Sequence, residues 1–326
     1  MANFKIGVAF SKEFTGNNPF GHIGVKLPVY LRLLELCRKE GWEVYVLTRK
    51  TYKGNGIFEG GWLFENGKFR KINTPIVADL VYDRSAGIKF PPEGDNDIIW
   101  VNRRDFKVLC WDKWKAYQEI GKYMPETFWA QKESDLADIL PKMNNGVPQN
   151  NSVPHKTKWV VLKPYNGLKG FGVFIGPKEK AVGFKFEKKY KHYIAQEFVD
   201  TSDGIDGITN GLHDLRVAIV NAKAVWSHVR VPEKGSFMAN AAQGGILTEV
   251  DYSEVPESIK KIVGEIAEKF YRDYDNPAYS LDFGIGKDGI PKIFEINDQI
   301  GFPRWEMKAR DAFLKELVKN FKEKVI

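Results

Sequence analysis

The sequence predicts an α/β protein whose later part has antiparallel, α+β character. Residues 4–10 form a near-continuous apolar run of buried-strand type, and an apolar helical period follows at 27–37. Residues 42–48 are a second apolar strand. Because these elements are joined by short links, they predict a right-handed parallel βαβ unit. Further along the chain, alternating strands separated by turn residues predict antiparallel hairpins.

Composition sets limits on the protein class. The chain has 326 residues, of which 43% are hydrophobic and 28% charged, which fits a soluble protein with two or three domains. No apolar run approaches the roughly 20 residues of a membrane span, and residues 1–10 lack a signal-peptide apolar region. Cys37 and Cys110 have no CxxC spacing, so we expect neither a disulfide framework nor a zinc site. We expect a cytoplasmic protein.

The net charge of +7 is compatible with an anionic ligand or with nucleic acid. The Lys and Arg residues are scattered among acids, however, without a basic block or an arginine-rich arm. We therefore predict a mixed, solvated surface, and we expect neither nucleic acid nor a membrane as partner.

Several elements of the first half can be placed by turn and period signals. A polar, Gly-rich loop at 15–24 follows the first strand, at the sheet edge where open α/β folds bind ligands, but it contains neither GxGxxG nor a Walker motif. Residues 58–72 predict a hairpin around Asn66-Gly67. Short strands at 79–84 and 98–101 precede a helix that starts after Cys110. Residues 142–158 predict a loop.

A lysine and a glycine-rich segment follow the next strand. The apolar strand Trp159–Pro164 ends on Lys163, and a lysine that closes an apolar strand needs an anionic partner. Gly167, Gly170 and Gly172 then expose backbone N–H groups, as in segments that cradle phosphate. The alternative for the glycines is a purely structural turn.

The second half continues with strands and two amphipathic helices. Strands at 193–200, 213–220 and 225–232 are predicted, and Arg216 and Arg230 lie on the last two, which a hairpin at 221–223 joins. A small-residue loop follows at 235–245. Helices at 258–271 and 307–325 carry apolar stripes that we interpret as core packing.

Residues 281–297 predict a hairpin with a two-residue type I′ loop at Asp288-Gly289. With that loop, Lys287 pairs with Ile290, and Asp282 lies opposite Glu295. Side chains alternate along a strand, so every second residue shares a face.

Three oxygen-bearing side chains of this hairpin should therefore converge, namely Asp282, Glu295 and Asn297. Carboxylate oxygens are the ligands that Mg²⁺ prefers in phosphate-binding sites. The alternative is a solvated hairpin face.

The order of these parts resembles a known superfamily. The parts are Asp112-Lys113, Lys163-Pro164 with the glycine loop, Gln196-Glu197-Phe198-Val199, Asp214-Leu-Arg216, Arg230, Asn240 with Gly244-Gly245, Asp282, and Glu295-Ile-Asn297. This order resembles the ATP-grasp superfamily, with a layout similar to prokaryotic glutathione synthetase and the RimK-type glutamate ligases. The N-terminal part, with Tyr82-Asp-Arg84, also resembles the spore-coat-associated ATP-grasp proteins. The match covers residues 100–300, and the first 100 residues match by topology.

The resemblance implies an ATP-grasp fold behind a Rossmann-like pre-ATP-grasp domain. The implied domains are 1–105 (N-terminal α/β domain), 106–192 (central subdomain with the glycine loop) and 193–326 (C-terminal subdomain with the metal site).

The resemblance also implies roles for individual residues. Lys113 and Lys163 would contact the ATP phosphates under the glycine loop, and Asp214 would approach the nucleotide. The backbone of Glu197, Phe198 and Val199 would face the adenine edge.

The remaining implied roles concern metal and catalysis. Asp282, Glu295 and Asn297 would hold two Mg²⁺ ions, with Mn²⁺ as a substitute. Arg216 and Arg230 would neutralise an acyl phosphate and a tetrahedral intermediate. The alternative for either arginine is a surface ion pair.

The implied function is an ATP- and Mg²⁺-dependent, ADP-forming carboxylate-amine ligase that works through an acyl phosphate. Its substrates would be a small carboxylic acid and an amine, such as an amino acid or peptide; a homo-oligomer remains open. The alternatives are a small-molecule kinase of the same fold and a non-catalytic ATP-binding protein.

One departure from the pattern narrows the expectation. Residues 298–306 do not match the continuation seen in glutathione synthetase, so we do not expect glutathione synthesis. Within this segment, Arg304 is expected either to bind a substrate carboxylate or to pair with Glu306.

Overall fold

The computed structural model describes residues 4–12, 18–85, 87–88, 90–95, 98–143, 159–168, 170–233, 235–237 and 245–325. The helices are α1 (Leu27–Lys39), α2 (Arg104–Trp111), α3 (Lys113–Ile120), α4 (Leu136–Lys142), α5 (Lys178–Ala181), α6 (Glu257–Asp273) and α7 (Arg310–Glu323). The strands are β1 (Lys5–Phe10), β2 (Glu43–Thr48), β3 (Tyr52–Gly54), β4 (Ile57–Phe58), β5 (Gly61–Glu65), β6 (Lys68–Ile72), β7 (Ile76–Val77), β8 (Leu80–Asp83), β9 (Ile99–Val101), β10 (Thr127–Ala130), β11 (Trp159–Pro164), β12 (Phe174–Pro177), β13 (Tyr193–Glu197), β14 (Asp214–Val220), β15 (Lys223–Val231), β16 (Ile246–Val250), β17 (Tyr279–Ile285) and β18 (Pro291–Asn297).

The N-terminal part is a six-stranded sheet in the order β6-β5-β2-β1-β8-β9. Strand β1 pairs in parallel with β2 and β8, which confirms the predicted βαβ unit. The predicted hairpin is also present, because β5 and β6 are joined by Asn66 and Gly67 with φ of 50° and 73°. A small sheet in the order β3-β4-β7 lies within the same part of the chain.

Two antiparallel sheets follow. One has the order β10-β13-β11-β12, and the other has the order β16-β15-β14-β17-β18. Strand β13 pairs with the first of them, although it lies at the start of the segment predicted as the third domain. The predicted three-domain division stays a prediction.

The core sits between these sheets and the helices. Helix α6 buries its predicted apolar stripe against the five-stranded sheet. Helix α7 packs its apolar residues into one cluster with α1 and the N-terminal sheet, so the end of the chain covers its beginning. This return packing joins the N-terminal part to the five-stranded sheet, because Ala218 and Trp226 belong to the same cluster.

The helix predicted after Cys110 proved to be the second of two. Helix α2 already begins at Arg104, and Asp112 separates it from α3 in an extended conformation. The Asp112 side chain accepts from the N–H groups of Trp114 at 3.0 Å and Lys115 at 3.1 Å, so it is the N-cap of α3. This cap places Lys113 at the first position of the helix.

The loop between β17 and β18 also differs from its predicted form. Gly286 N donates to Ile290 O at 3.4 Å, so the loop consists of Lys287, Asp288 and Gly289. Gly289 has φ of 73°, as expected for the left-handed position of a three-residue hairpin loop. The predicted two-residue loop and its Lys287–Ile290 pair are wrong.

A β-bulge shifts the pairing of the two strands by one residue further along this hairpin. Phe283 lies opposite Ile293, whereas the preceding residue, Asp282, lies opposite Glu295, which leaves Phe294 as the extra residue. The predicted pairing of Asp282 with Glu295 is therefore confirmed, but by a longer loop combined with a bulge.

Parts of the predicted loops lie outside the described residues: 15–17, 144–158 and 238–244, the last including Asn240 and Gly244. Among the helices that the structure describes, none is long and apolar enough to cross a membrane.

Candidate active site

A cavity of about 480 Å³ between the two antiparallel sheets collects nearly all the predicted site residues. Its lining includes Lys113, Lys163, Gly167, Gly170, Glu197, Phe198, Val199, Asp214, Arg216, Arg230, Asp282, Glu295 and Asn297. Gly172 is the predicted residue that does not line it. With φ of 73° and a Cβ position only 2.8 Å from the Tyr190 ring, Gly172 shapes the turn instead.

Two arginines and two aspartates form the buried floor of this cavity. Arg216 donates from Nε and Nη2 to the two carboxylate oxygens of Asp282, both at 2.6 Å. Arg230 Nη2 donates to Asp282 Oδ2 at 2.8 Å, and its Nε donates to Asp214 Oδ1 at 3.2 Å. Neither arginine forms the alternative surface ion pair, because both lie inside the cavity with side chains 14% and 11% exposed.

Sheet register explains why these four groups meet. Asp214 and Arg216 lie two residues apart on β14 and so face the same side. Asp214 is paired across to Arg230 on β15, and Arg216 is paired across to Asp282 on β17. Opposite residues on neighbouring strands bring their side chains close enough for direct ion pairs.

The two aspartates differ in their electrostatics. Burial alone would raise the pKa of Asp282, but the guanidinium groups of Arg216 and Arg230 outweigh it and hold that pKa below its usual range. Burial, followed by the negative charge of Asp282, raises the pKa of Asp214 to about 7. The two arginines thus favour the ionised form of Asp282 over that of Asp214.

The two predicted phosphate-binding lysines lie at the glycine-loop side. Lys113 Nζ donates to Gly167 O at 2.7 Å and lies 3.1 Å from Glu295 Oε1. Lys163 Nζ donates to Phe294 O at 3.3 Å, which is the carbonyl of the bulged residue. Burial, and then the charge of Lys113, lower the pKa of Lys163 to about 8. An anion bound between the lysines would relieve this repulsion.

The three residues predicted to bind the metal lie close together, as the alternation of side chains along β17 and β18 predicts. Asn297 Nδ2 donates to Asp282 Oδ2 at 3.2 Å, which leaves its amide oxygen as an acceptor, and the Glu295 side chain is 32% exposed. Among the described residues no three His, Cys, Asp or Glu side chains cluster for a metal; the protein oxygens available here are those of the two carboxylates and the Asn297 amide.

This donor set of two carboxylates and an amide fits Mg²⁺. Asp282 already accepts four hydrogen bonds, from Arg216 twice, from Arg230 and from Asn297. A carboxylate has about four lone-pair sites. Direct binding of a metal by Asp282 therefore requires that one of these donors moves away.

The far end of the cavity is apolar. The centre of the Phe198 ring lies 5.6 Å from that of Trp159 and 5.8 Å from that of Phe237. The rings of Trp159 and Phe237 are 5.0 Å apart. Phe198 and Phe237 line the cavity beside the predicted adenine segment. Sequence reasoning missed Phe237, although an aromatic residue in a small-residue loop was a usable signal.

Sequence reasoning also missed the connection to the N-terminal part. The segment after Asn297 is held by groups far away in sequence: Gln299 Nε2 donates to Asp83 O at 3.1 Å, and buried Lys107 lies 3.1 Å from Asp298 Oδ2 and also pairs with Asp83. Arg304 does not pair with Glu306 in the described structure; its side chain is exposed.

The sequence matches the model of a known protein family. Residues 111–308, more than half of the chain, match the RimK-like ATP-grasp domain. The chain belongs to the RimK-like ATP-grasp family. This confirms the predicted superfamily, its RimK-type resemblance and the predicted ATP-grasp fold.

The curated relatives have low sequence identity to this chain, and each matches over less than half of it. A probable alpha-L-glutamate ligase of Pasteurella multocida is 28% identical over 154 residues, which is 45% of this chain and 42% of that protein. Another from Mannheimia succiniciproducens is 23% identical over 164 residues, 48% of each chain. This RimK-like chain thus spans about half the length of the curated relatives it matches.

Solved structures share the fold over nearly the whole chain. VanG D-Ala:D-Ser ligase from Enterococcus faecalis has a TM-score of 0.63 at 12% identity, covering 100% of both chains. D-alanyl-alanine synthetase A from Vibrio cholerae has a TM-score of 0.61 at 14% identity, covering 100% of this chain and 97% of that one. At such identities the likeness concerns the fold.

Proposed function

We propose that this RimK-like ATP-grasp protein is an ATP- and Mg²⁺-dependent carboxylate-amine ligase that releases ADP and phosphate. One observation carries the proposal: a single cavity joins two lysines at a glycine loop to a buried pair of arginines, with Glu295 and Asn297 between them. The names of its relatives, probable alpha-L-glutamate ligases, support this reaction class.

The cavity offers complementary groups to each part of ATP. The apolar end beside Glu197, Phe198 and Val199 suits the adenine ring, with Phe237 as an additional wall. Lys113 and Lys163 suit the phosphates because their ammonium groups can form charge-assisted hydrogen bonds to phosphate oxygens. Hydrogen bonds to backbone carbonyls hold these two groups at the glycine loop and at the bulge. Asp214 accepts a hydrogen bond from Arg230 and holds that arginine in place.

Glu295, Asn297 and Asp282 would hold the divalent metal, for which we propose two Mg²⁺ ions or Mn²⁺ in their place. A divalent cation held by these residues would supply positive charge against the negative charge that develops during phosphoryl transfer.

The reaction that fits these groups has two steps. A carboxylate oxygen of the acid attacks the γ-phosphorus, the bond to ADP breaks, and an acyl phosphate forms. An amine then attacks the acyl carbon, a C–N bond forms, and phosphate leaves with one oxygen of the acid while the amine loses a proton. Arg216 and Arg230 face the place where negative charge develops, where fixed cations stabilise the transition state most.

The test is Mg²⁺-dependent ADP release with a panel of small acids and amines, added singly and in pairs. The proposal expects release that requires a carboxylate together with an amine. ADP release with a hydroxyl compound alone, giving a stable phosphorylated product, would replace the ligase with a kinase. Nucleotide binding without ADP release across the panel would contradict the ligase and favour a binding protein.

A further inference from the structure

Three cationic side chains, one of them exposed, lie near Arg216, and the negative charge of Asp298 acts on one of the three. Lys26 precedes α1, Arg84 follows β8, and Arg304 follows the segment after β18; together we call them the basic cluster. Within the residues that the structure describes, none of the three forms an ion pair with a carboxylate. Arg216, Arg230 and Lys113, by contrast, each form an ion pair with a carboxylate.

Arg84 is held rigidly by neutral groups. Its Nε donates to Tyr30 Oη at 3.2 Å, Nη1 donates to Tyr82 Oη at 3.1 Å, and Nη2 donates to Ile300 O at 2.9 Å. Its guanidinium also lies 5.0 Å from the centre of the Phe302 ring. A guanidinium has five N–H groups, so two donors remain. The three acceptors are neutral, and the negative charge of Asp298 acts on Arg84 without a direct ion pair.

The basic cluster lies next to the reacting end of the cavity. Ile300, whose carbonyl accepts from Arg84, comes three residues after Asn297, and three residues span at most about 11 Å. A Cβ on the next residue, Gly301, would lie 3.9 Å from Lys26 Nζ, so the lysine lies against the same segment. Burial, and then the positive charges of Arg84, Arg216 and Arg304, lower the pKa of Lys26 to about 8. The positive charge of Arg216 therefore acts on the ammonium group of Lys26, together with the charges of Arg84 and Arg304.

His228 adds a buried polar atom next to Arg216. It lies opposite Arg216 on the neighbouring strand, is 3% exposed, and its buried Nδ1 has no hydrogen-bond partner among the described residues. Burial, and then the charges of Arg216 and Arg230, hold the pKa of His228 well below its usual range, so the imidazole is neutral. A buried polar atom without a partner is uncommon unless a ligand or water completes it.

We propose that the acid substrate of this protein carries a second anionic group, a carboxylate or a phosphate, that the basic cluster binds while Arg216 faces the reacting carboxylate. Only positive charges act on Lys26 from its neighbours, since Asp298 acts on Arg84, and an anion bound among the three cations would relieve that repulsion. Arg84 supplies a fixed, planar donor and Lys26 a mobile one, a combination that suits an anion at the end of a flexible substrate. The inference rests on the proposed ligase function, because it names the substrate class of the same site.

The test compares acids that differ only in one anionic group. Binding of L-glutamate against L-glutamine, and of O-phosphoserine against serine, is measured by calorimetry with MgADP present, and ADP release is then measured for the same acids with an amine panel. The two pairs distinguish a carboxylate from a phosphate. We expect the anionic member of at least one pair to bind about tenfold tighter or more.

Two variants locate the effect. Lys26→Gln should remove most of the preference for the anionic member and leave the binding of the neutral member unchanged. Lys39→Gln, at the exposed C-terminal end of α1, is the matched control and should retain the preference. A thermal melt of each variant shows that it is folded.

The outcomes separate the two proposals. Preferential binding of the anionic acids, lost in Lys26→Gln, without ADP release for any acid supports the basic cluster and contradicts the ligase. ADP release with neutral and anionic acids alike, unchanged by Lys26→Gln, supports the ligase and overturns the inference. Equal binding of both members in both pairs also overturns it.

Discussion

The guanidinium of Arg216 holds both carboxylate oxygens of Asp282, with Nε and Nη2 each 2.6 Å from one oxygen. The two residues are direct neighbours across β14 and β17. Arg216 therefore has two consequences for Asp282: it keeps the carboxylate ionised despite its burial, and it fixes the carboxylate in the direction of Asn297. A predicted catalytic residue and a predicted metal ligand thus depend on each other.

Arg216→Lys should lower kcat by about 10²–10³-fold, because a lysine cannot reproduce the two parallel hydrogen bonds of a guanidinium. The melting temperature should fall only slightly, since Arg230 still donates to Asp282. The measurement is ADP release with the best acid and amine pair. Arg272→Lys, an exposed change on α6, is the control and should retain full turnover. Full turnover in Arg216→Lys would show that its double contact is not needed.

Glu295→Gln should abolish Mg²⁺-dependent turnover and leave the fold intact, because Glu295 is partly exposed and its main partner in the structure is Lys113. The loss expected for a carboxylate ligand of the metal is about 10²-fold or more. The comparison is Glu268→Gln, an exposed residue on α6. Unchanged turnover in Glu295→Gln would remove Glu295 from the proposed metal site.

Gly284→Ala should destabilise the protein by about 1–3 kcal/mol. A Cβ at this position would lie 2.2 Å from Phe294 Cζ and 2.8 Å from Thr201 Cγ2, so the Phe294 ring must move. Because the Phe294 carbonyl accepts from Lys163, ADP should also bind more weakly. The two measurements are urea denaturation and ADP titration.

Gly264→Ala is the matched control for this change. The position is helical and open, with nothing within 4 Å of the added Cβ. This substitution should stabilise the protein by about 0.5–1 kcal/mol, because alanine has the higher helix propensity. Equal effects of the two substitutions would contradict the tight packing described for Phe294.

Lys26→Met should stabilise the ligand-free protein near neutral pH. Because the pKa of Lys26 falls from 10.5 to about 8 on folding, the unfolded chain binds more protons between these values. The ammonium group thus destabilises the fold fully below pH 8, and the effect disappears as the pH rises from about 8 to 10.5.

The expected gain in the free energy of unfolding is about 1–3 kcal/mol at neutral pH and close to zero above pH 10.5. Denaturant unfolding of both proteins across this pH range measures it. A gain that is independent of pH would mean that methionine packs better and that neither burial nor the nearby positive charges disfavour the ammonium group of Lys26.

Much of the fold could be predicted because local signals determine it. The βαβ unit follows from apolar periods of strand and helix, and the Asn66-Gly67 loop follows from the positive φ angles that both residues tolerate. Pairing of Asp282 with Glu295 was predicted through a two-residue loop that is wrong. It is nevertheless present because a longer loop and a bulge compensate each other, and no local signal in the sequence indicates the bulge.

The contacts that sequence reasoning missed are those that only tertiary packing creates. Arg84 and Ile300 are 216 positions apart, and their contact depends on the N-terminal sheet meeting the segment after β18. Lys26 carries no signal in the sequence, since its neighbours there include neither an acid nor a glycine motif of known use. Strand alternation could predict that Asp282, Glu295 and Asn297 converge, whereas Asp214 and Arg216 were named through the resemblance to the ATP-grasp superfamily.

The most direct test of the ligase proposal is trapping with hydroxylamine. The protein is incubated with MgATP, one acid at a time and hydroxylamine, which attacks an acyl phosphate in place of the natural amine. The account predicts a hydroxamate of the acid in amounts equal to the ADP released, and neither product in Glu295→Gln. ADP formation without any hydroxamate, accompanied by a stable phosphorylated product, would contradict it.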